Sequence, residues 1–470
     1  MKIKNLLIII LTIVIFITGF LIYDKTRKVK DIEQQPETQI KELSQQDIAI
    51  IEIEEAIKNN NIPKLEELIS QYGWDKLYLN NITSITPEVA GILAKQEGKG
   101  VYFNSLPSID KQTAEAFTSF KGRDAGMGYV LGTELYFDGF RSIDIEIAEE
   151  LAKFNGGLLS FNGLTSITPD VAMALAKYEG NYLTGSTLSL NGLVSIDIDI
   201  AMALKKFRGW GSLQLNGLAS ITPEVARELA QYEGDHLFLN GLPSITLEVA
   251  RELAQYEGDR LHLNGIILIE PKILRELTKQ RGKIEIDGLT FINPEIVQIL
   301  MDSANSSGLW FDKLISIDLE TAKVLATWWG RHIGMNSLLS ITPEVVRELV
   351  SWGGKSDNSL SIDGLTSITP EVAKALSAFQ GWQLSLDGLA SITPEVAKAL
   401  SAFQCSRLGL NGLTSITPEV AKELSKFRGQ FIEMEGLHFI DLEEVAQILA
   451  GYHGDLEARS SVLQEIEKYK

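Results

Sequence analysis

Seven aromatic and charged side chains share one position of a repeated sequence pattern, and they are the strongest candidates for binding chemistry. In chain order they are Tyr78, Tyr102, Tyr136, Phe238, His262, Glu285 and Trp310. Each stands between two apolar residues, which is the alternation of a short strand with one buried face. We therefore expect all seven side chains to face outward. Tyr and Trp are over-represented at binding hot spots because they bring a large contact area at a small entropic cost.

The spacing of the seven side chains predicts two groups. Because parallel neighbouring strands lie ~4.8 Å apart, the three tyrosines are expected to stack as one exposed aromatic column. The other four form a second group, in which Glu285 stands between His262 and Trp310. Aromatic residues are also good strand formers, so a purely structural interpretation stays open beside the binding interpretation.

Catalytic and metal chemistry find little support in the sequence. His236, His262 and His332 would approach the same face, but neither an HExxH spacing nor a cysteine partner accompanies them. The serine before each isoleucine, such as Ser220 or Ser391, belongs to the repeat, and no GxSxG motif is present. The sequence therefore predicts no enzyme, no metal site and no cofactor.

A ladder of amide and carboxylate residues follows the predicted strands. Its members are Asn80, Asn162, Asn191, Asn216, Asn240, Asn264, Asp287, Asp363, Asp387 and Asn411. Three spaced aspartates do not give the alternating, dense carboxylates of a calcium site. A structural role is favoured, in which each side chain bonds the backbone at the turn that leaves its strand.

One stretch, residues 213–234 with the sequence LQLNGLASITPEVARELAQYEG, shows which elements hold these side chains in place. Leu213 and Leu215 alternate as in a strand, and Asn-Gly favours a turn. Thr222-Pro223-Glu224 is typical of a helix start, because Thr caps, Pro suits the first turn and Glu favours the positive helix end. The copies recur at a period that is typical of solenoids.

The predicted helix-cap position tests the alignment of the copies, because its chemistry is restricted. It holds Thr86, Asp110, Asp144, Thr168, Asp197, Thr222, Thr246, Glu270, Asn293, Asp318, Thr342, Thr369, Thr393, Thr417 and Asp441. All except Glu270 are good N-caps. One repeat cannot bury its own apolar face, so stacking of neighbours is expected to form the core.

The pattern LxLNGLxSITPEVAxxLA resembles the leucine-rich repeat, and it is similar to the cysteine-containing class of that family. The resemblance covers residues ~77–454 and departs from the class at Leu164, Leu218, Leu242 and Leu389, where that class often has Cys. It implies an α/β solenoid with short parallel strands on the concave side and helices on the convex side.

Charge excludes one class of partner. The formal net charge is −19 and the pI is about 4.9. Nucleic acid is therefore not expected as a partner, because its phosphates require a basic surface.

The N-terminal sequence predicts a membrane segment. Residues 6–23 read LLIIILTIVIFITGFLIY, and Lys2 and Lys4 precede them. This length suits one transmembrane helix, so an uncleaved signal anchor is favoured, with a cleaved signal peptide as the rival. The expected localisation is single-pass membrane, with the solenoid extracellular or periplasmic.

The composition and the repeats divide the chain into five predicted parts. These are an anchor helix (1–23), a polar stalk (24–47), an N-terminal helical cap (48–76), a solenoid of about fifteen leucine-rich repeats (77–454) and a C-terminal capping helix (455–470). The function that this organisation implies is a membrane-anchored module that binds a protein, or a glycan, through its concave strand face. Two alternatives stay open: a structural, self-associating surface protein, and a secreted partner-directed factor if the N-terminal segment is cleaved.

Overall fold

A computed structural model describes residues 44–72, 74–96, 98–120, 133–180, 185–207, 211–303, 308–352, 357–437 and 443–469. The chain forms two compact units, residues 1–52 and 53–470. In the first unit, the described residues begin a helix at Gln45. The second unit contains the repeats.

Sixteen short parallel strands run through the described part of the second unit. They are β1 (Lys76–Tyr78), β2 (Gly100–Tyr102), β3 (Glu134–Tyr136), β4 (Leu158–Ser160), β5 (Thr187–Ser189), β6 (Ser212–Gln214), β7 (His236–Phe238), β8 (Arg260–His262), β9 (Lys283–Glu285), β10 (Leu309–Trp310), β11 (His332–Gly334), β12 (Ser359–Ser361), β13 (Gln383–Ser385), β14 (Arg407–Gly409), β15 (Phe431–Met434) and β16 (Asp455–Ala458). Strands β1 to β9 form one sheet and β10 to β16 a second, each in chain order. Leu213 pairs with Leu237, and Leu237 with Leu261, so the predicted side-by-side register of these repeats is confirmed.

One helix follows each strand, and two helices precede β1. In chain order they are α1 (Gln45–Lys58), α2 (Ile62–Gln71), α3 (Pro87–Leu93), α4 (Lys111–Phe117), α5 (Ile145–Leu151), α6 (Pro169–Leu175), α7 (Ile198–Leu204), α8 (Pro223–Leu229), α9 (Leu247–Leu253), α10 (Pro271–Leu277), α11 (Pro294–Ser303), α12 (Leu319–Leu325), α13 (Pro343–Ser351), α14 (Pro370–Leu376), α15 (Pro394–Ser401), α16 (Pro418–Leu424), α17 (Glu443–Ala450) and α18 (Ser460–Glu467). From α3 onward each helix packs against the next. The result is an α/β repeat solenoid with parallel strands.

The cap residues begin the helices as the sequence predicts. Thr222 has an extended backbone, and its side chain accepts a hydrogen bond from the backbone N–H of Val225 at 3.3 Å. Asp110 and Asp318 accept the equivalent bond at 2.7 Å. Asp144 and Glu270 make no side-chain cap bond. Asp441 lies outside the described residues.

A series of aromatic rings, which we call the aromatic spine, fills the core where most helices turn back to the next strand. Its members are Phe120, Phe154, Tyr178, Phe207, Tyr232, Tyr256, Trp328, Trp352, Phe379, Phe403, Phe427 and Tyr452, all buried. Ring centroids of successive members lie 5.9 Å apart for Phe207 and Tyr232, and 6.3 Å apart for Tyr232 and Tyr256. Apolar area is thus removed from water by the neighbouring repeats rather than within one repeat.

The Asn/Asp ladder joins successive repeats, and its structural role is confirmed. The side-chain oxygen of Asn216 accepts from the backbone N–H of Asn240 at 2.9 Å, and Asn240 accepts likewise from Asn264 at 2.8 Å. Each bond therefore joins a side chain to the backbone of the next repeat. The sequence interpretation had placed the bond within the turn of the same repeat. It satisfies a backbone donor beyond the strand end, where the sheet ladder has stopped.

The predicted transmembrane helix is contradicted. In the part of the chain that the structure describes, no helix is long and apolar enough to cross a bilayer. The longest described helix, α1, has 14 residues, which is about 21 Å at the α-helical rise, against a hydrocarbon thickness of ~30 Å. The predicted fold class is therefore corrected to a solenoid without the transmembrane helix. The predicted single-pass membrane localisation is contradicted by the same finding. The predicted span, residues 6–23, lies outside the described residues.

The two ends of the array differ in detail from the sequence interpretation. Helix α1 begins at Gln45, inside the segment interpreted as a stalk (24–47), and residues 24–43 of that segment lie outside the described residues. The predicted C-terminal helix segment, 455–470, opens with strand β16, which pairs with β15 before α18 begins. Leu456 explains the extra strand, because it pairs with Ile432 in the register of the repeats.

The ladder predicts a measurable stability effect. Replacing Asn240 with Ala removes the acceptor for the backbone N–H of Asn264, and a partly buried donor without its partner costs about 1–3 kcal/mol. We expect the Asn240→Ala variant to lose that amount in chemical denaturation. Asn104→Ala is the matched control, because Asn104 donates to Asn80 in an exposed setting; its cost should stay below ~0.5 kcal/mol. Equal losses in both variants would contradict the ladder's role.

Candidate binding face

The outward residues of the strands of both sheets make up the surface that we call the strand face. Its seven predicted site residues differ in exposure: Tyr78 is 41% and Trp310 44% exposed, whereas Tyr102 is 8% and His262 6% exposed. Tyr136, Phe238 and Glu285 are intermediate. An outward position on a strand therefore does not ensure exposure, because Tyr102 and His262 are almost fully covered.

Stacking explains why Tyr102 is covered although its side chain leaves the core. Its ring centroid lies 4.3 Å from that of Tyr78 and 4.2 Å from that of Tyr136, with interplanar angles of 27° and 14°. The predicted aromatic column is thus present. The strand register sets it, because Tyr78 pairs with Tyr102 and Tyr102 with Tyr136. Neighbouring rings cover both faces of the central ring.

A carboxylate and an ammonium group fix the tyrosine column at the strand starts. The hydroxyl of Tyr102 donates to Glu134 Oε2 at 2.6 Å, and Lys76 Nζ lies 3.4 Å from the same oxygen. The lysine also lies 5.6 Å from the Tyr102 ring centroid, within cation–π range. Burial, with the hydrogen bond to Glu134, raises the pKa of Tyr102 far above its ordinary value. Burial and the Glu134 charge raise the pKa of Tyr136 to about 12. Both phenols are therefore neutral hydrogen-bonding groups at physiological pH.

The second cluster joins β7, β8 and β9. The rings of Phe238 and His262 stack with centroids 3.7 Å apart and an interplanar angle of 5°. On the other side, His262 Nδ1 lies 2.7 Å from Glu285 Oε2. His262 Nε2 lies 3.2 Å from Nδ1 of His236. These contacts link four side chains of three strands into one chain of hydrogen bonds and ring contacts.

Protonation in this cluster is decided by burial as well as by charge. Burial lowers the pKa of His262, the Glu285 charge opposes this effect, and His236 adds to it. Burial acts to raise the pKa of Glu285, but the His262, Lys283 and Arg260 charges outweigh it and lower the pKa. Arg260 and Lys283 lie 3.0 and 3.1 Å from Glu285 Oε1. His262 donates its Nδ1–H to the Glu285 carboxylate, and the Arg260 and Lys283 charges favour the ionised form of Glu285.

Trp310 is not joined to this cluster by strand pairing. It belongs to β10, the first strand of the second sheet, and its ring lies 6.4 Å from that of His332. Gly334 permits this position, because a Cβ there would come within 2.3 Å of the Trp310 ring. The sequence interpretation placed Glu285 between His262 and Trp310, and the break between the sheets falls after Glu285.

Sequence reasoning placed His236 on this face but missed Glu134 and Arg260, which also hold these rings. All three residues open a strand, next to the apolar residue that starts the pattern. In a parallel sheet this position lies on the same face as the next-but-one residue, so the same repeat register could have identified it. Within the described ranges, no group of three or more His, Cys, Asp or Glu residues is arranged to hold a metal ion.

The ladder changes at the break between the sheets. Asp363 accepts a backbone bond from Asp387, and Asp387 accepts one from Asn411, both at 2.9 Å. In the part of the chain that the structure describes, no backbone N–H donates to the Asp287 carboxylate. Burial, together with the charges of Glu285 and Asp312, raises the pKa of Asp287 to about 6.

Three solved structures resemble this chain at low sequence identity. No family model and no curated protein matches the sequence. A chain of the Drosophila Toll–Spatzle complex has 12% identity and a TM-score of 0.40, over 84% of this chain and 52% of that chain. An internalin (inlF) from Listeria monocytogenes has 14% identity and a TM-score of 0.28, over 87% and 94%. A chain of the yeast Rad7–Elc1 complex has 14% identity and a TM-score of 0.32, over 89% and 93%. This chain spans about half the length of the Toll–Spatzle chain.

The class of fold follows from the chain's own geometry. A typical repeat runs strand, turn, capped helix and return, and parallel strands and the ladder join most repeats to the next. This arrangement is a leucine-rich-repeat-like solenoid.

Asp287 provides a pH-dependent test of the site. The folded protein holds a proton on this carboxyl up to about pH 6, whereas the unfolded chain releases it near pH 3.9. The ionised carboxylate therefore costs stability above pH 6, and the cost fades as the pH falls. Because the group is half-buried, we expect Asp287→Asn to gain on the order of 1 kcal/mol at pH 7.5 and clearly less at pH 5.

Urea denaturation at the two pH values measures this gain. Asp363→Asn is the control, because the Asp363 carboxylate accepts bonds from Asp387 and Ser385 and should gain nothing. A gain that is the same at both pH values would show that ionisation of Asp287 is not its source.

Proposed function

We propose that this protein is a binding module that captures a protein partner on its strand face. The observation that carries the proposal is the tyrosine column, whose rings are held in contact across three strands. Rigid aromatic side chains lose little entropy on binding, and hot spots are enriched in them. The column is already ordered before a partner arrives.

The cluster at β7 to β9 supports the proposal by adding polar groups beside the aromatic area. Phe238 presents an apolar ring, and Glu285 an ionised carboxylate flanked by Arg260 and Lys283. A hot spot commonly combines an apolar anchor with charged groups that fix orientation. The strand face therefore offers two anchor regions along one surface.

A protein partner fits this surface better than a glycan. Sugars bind aromatic residues by lying flat on a free ring face, and both faces of Tyr102 are covered by its neighbours. Tyr102 is also almost fully buried, with its hydroxyl bonded to Glu134. The ring edges of the column and the exposed Tyr78 stay accessible to a partner, and these suit contact with the side chains of a protein.

Self-association is a second candidate, favoured by one separate observation. The loops between strand and helix expose apolar residues in four successive repeats, namely Ile267 (49%), Leu268 (57%), Phe291 (48%), Ile315 (49%) and Leu339 (73%). Backbone bonds from Thr290 to Ile267 and from Leu339 to Ile315 set these loops side by side. Contiguous exposed apolar area marks contact surfaces.

Light scattering of the purified chain tests self-association. If this apolar strip joins two copies, the wild type has a multiple of the 51.9 kDa chain mass, and Phe291→Ser with Leu339→Ser restores the single-chain mass. Ala219→Ser, at the corresponding loop of another repeat, should leave the mass unchanged. A wild type that is monomeric at high concentration rejects this second candidate.

The principal proposal is tested by comparing the proteins that the wild type and a variant capture when each is used as bait. The double variant Tyr78→Ser, Tyr136→Ser removes the two outer rings of the column and uncovers the ring of Tyr102. We expect it to lose at least tenfold in capture of the partner that the wild type retains, because each hot-spot residue contributes ~2 kcal/mol or more. Captured proteins are quantified by mass spectrometry.

Trp382→Ser is the matched control, since Trp382 is an aromatic residue exposed to 41% and lies outside the column. Its bait should retain the partner at the wild-type level. Circular dichroism must show the same helix content for all three baits. Equal capture by the wild type and the double variant would reject the tyrosine column as the binding surface.

A further inference from the structure

Strand β1 ends the nine-stranded sheet, and among the described residues no strand pairs with its outer edge. Its bonds to β2 come from the residues that face the core, as shown by the N–H of Leu79, which donates to the carbonyl of Tyr102 at 2.8 Å. Successive residues of a strand direct their backbone groups to opposite sides. The N–H and C=O groups of Lys76 and Tyr78 therefore point to the open edge.

Later repeats show what this N–H group does when a preceding strand is present. The N–H of Glu134 donates to the carbonyl just before β2 at 2.6 Å, and the N–H of His236 donates to the carbonyl just before β6 at 3.1 Å. Both residues open their strands, as Lys76 opens β1. In the part of the chain that the structure describes, nothing accepts from the N–H of Lys76 or of Tyr78. Strand β1 thus has the free donors and acceptors of an edge strand.

The open edge is accessible as well as unpaired. Lys76 and Tyr78 are both exposed, Tyr78 to 41%. Helix α1 reaches only the turn after β1, where Glu54 accepts from the backbone N–H of Asn81 at 2.9 Å and from its side-chain amide at 2.8 Å. Of the described elements, β2 alone packs extensively against β1. The described helices before β1 therefore leave the strand edge open.

A lysine on an edge strand commonly prevents pairing with another strand, but Lys76 is turned away from the edge. Its Nζ lies 3.4 Å from Glu134 Oε2 and 5.6 Å from the ring centroid of Tyr102. Glu134 belongs to β3, so the lysine side chain crosses β2 at Gly100, which pairs with both residues. Gly100 has no side chain to obstruct this path. The lysine charge is thereby held over the strand face and away from the edge.

We propose that the partner adds an extended segment to β1 as a further strand of the nine-stranded sheet, with an aromatic side chain beside Tyr78. The inference rests on the proposed function and names the kind of segment that the strand face takes. Main-chain hydrogen bonds to Lys76 and Tyr78 give affinity, as in other complexes formed by strand addition. The aromatic side chain gives specificity, because it continues a column whose successive ring centroids lie 4.3 and 4.2 Å apart.

The break between β9 and β10 offers less room for such a segment. There the backbone N–H of Ile315 lies 3.5 Å from the carbonyl oxygen of Thr290, so the loops of the two repeats stay in contact. A strand inserted at the break has to part these loops, because strands are spaced ~4.8 Å apart and it needs this distance on both sides. Addition at β1 displaces no described contact.

Amide hydrogen exchange of the full chain tests the open edge without any partner. We expect the N–H groups of Lys76 and Tyr78 to exchange at nearly the rate of an unfolded peptide, because no described group bonds them. The N–H of Leu79 is the internal control and should be protected, since it donates to Tyr102. Protection of Lys76 and Tyr78 equal to that of Leu79 shows a covered edge and overturns the proposal.

A blocked octapeptide of alternating threonine and tyrosine, which favours an extended strand with aromatic rings on one side, is the probe. Its affinity is measured by fluorescence anisotropy. Lys76→Pro removes one edge donor and keeps the bonds to β2, because proline is tolerated at the first residue of an edge strand. Lys76→Ala is the matched control, since it loses the same side chain and keeps the N–H. We expect Lys76→Pro to bind the peptide roughly three- to tenfold more weakly than Lys76→Ala, the effect of one hydrogen bond.

Equal affinity of the two variants for the peptide overturns strand addition, and so does a wild type that does not bind the peptide. If Lys76→Pro fails to fold, hydrogen exchange of the wild type with saturating peptide decides in its place. We expect the exchange of the Lys76 and Tyr78 amides to slow at least tenfold on binding. Unchanged exchange of both amides contradicts pairing at this edge.

Failure of this inference is distinguishable from failure of the proposed function. If the Tyr78→Ser, Tyr136→Ser bait captures the partner as the wild type does, the tyrosine column is rejected whatever the peptide shows. If that bait loses the partner but Lys76→Pro captures it as well as Lys76→Ala does, the proposed function stands and the added strand is overturned.

Discussion

Each repeat of this protein leaves one apolar face that only its neighbours can cover, and every other feature depends on that constraint. At most junctions the strand of one repeat bonds the strand of the next, the spine rings lie on one another, and the Asn/Asp ladder carries a hydrogen bond across. These three contacts lie at different places in the repeat: the strand, the return from helix to strand, and the turn after the strand. Together they fix both the spacing and the register of the strands.

The register in turn decides how the strand-face side chains meet. Residues at the same position of successive strands are brought to stacking distance whether or not their chemistry requires it. Three tyrosines in succession therefore form a column, and a phenylalanine followed by a histidine forms a stacked pair. Contact between neighbours orders these rings, and it also removes the middle ring from solvent. The ring area that stays accessible to solvent thus lies at the ends and edges of such a column.

Much of this organisation could be predicted from sequence, because it depends on local chemistry repeated many times. Thr222 and its equivalents cap helices as their residue types require, and Leu213, Leu237 and Leu261 lie side by side. The stacking of the tyrosines followed from strand spacing alone. The burial of Tyr102 did not, because it depends on how two neighbours lean over it and on a bond to Glu134 in another strand.

The break between the sheets was also beyond the sequence reasoning, for a different reason. Leu and Ile continue the strand pattern through β9 and β10, so the alternation of apolar residues does not indicate a break between the sheets. The signal lies in the aromatic position of the helices, where Gln280 and Ser303 replace rings. For the hydrophobic run at residues 6–23, the sequence predicted an element that the structure does not support. Composition alone suggested a membrane helix, and the described helices do not include one.

The separation of β9 from β10 also has a consequence for how the molecule comes apart. In a linear array, cooperativity passes only from neighbour to neighbour, so one weak junction limits how far it travels. The nine-stranded and the seven-stranded sheets should therefore melt as two blocks with separate transitions. Mechanical pulling along the array would part them first at this seam.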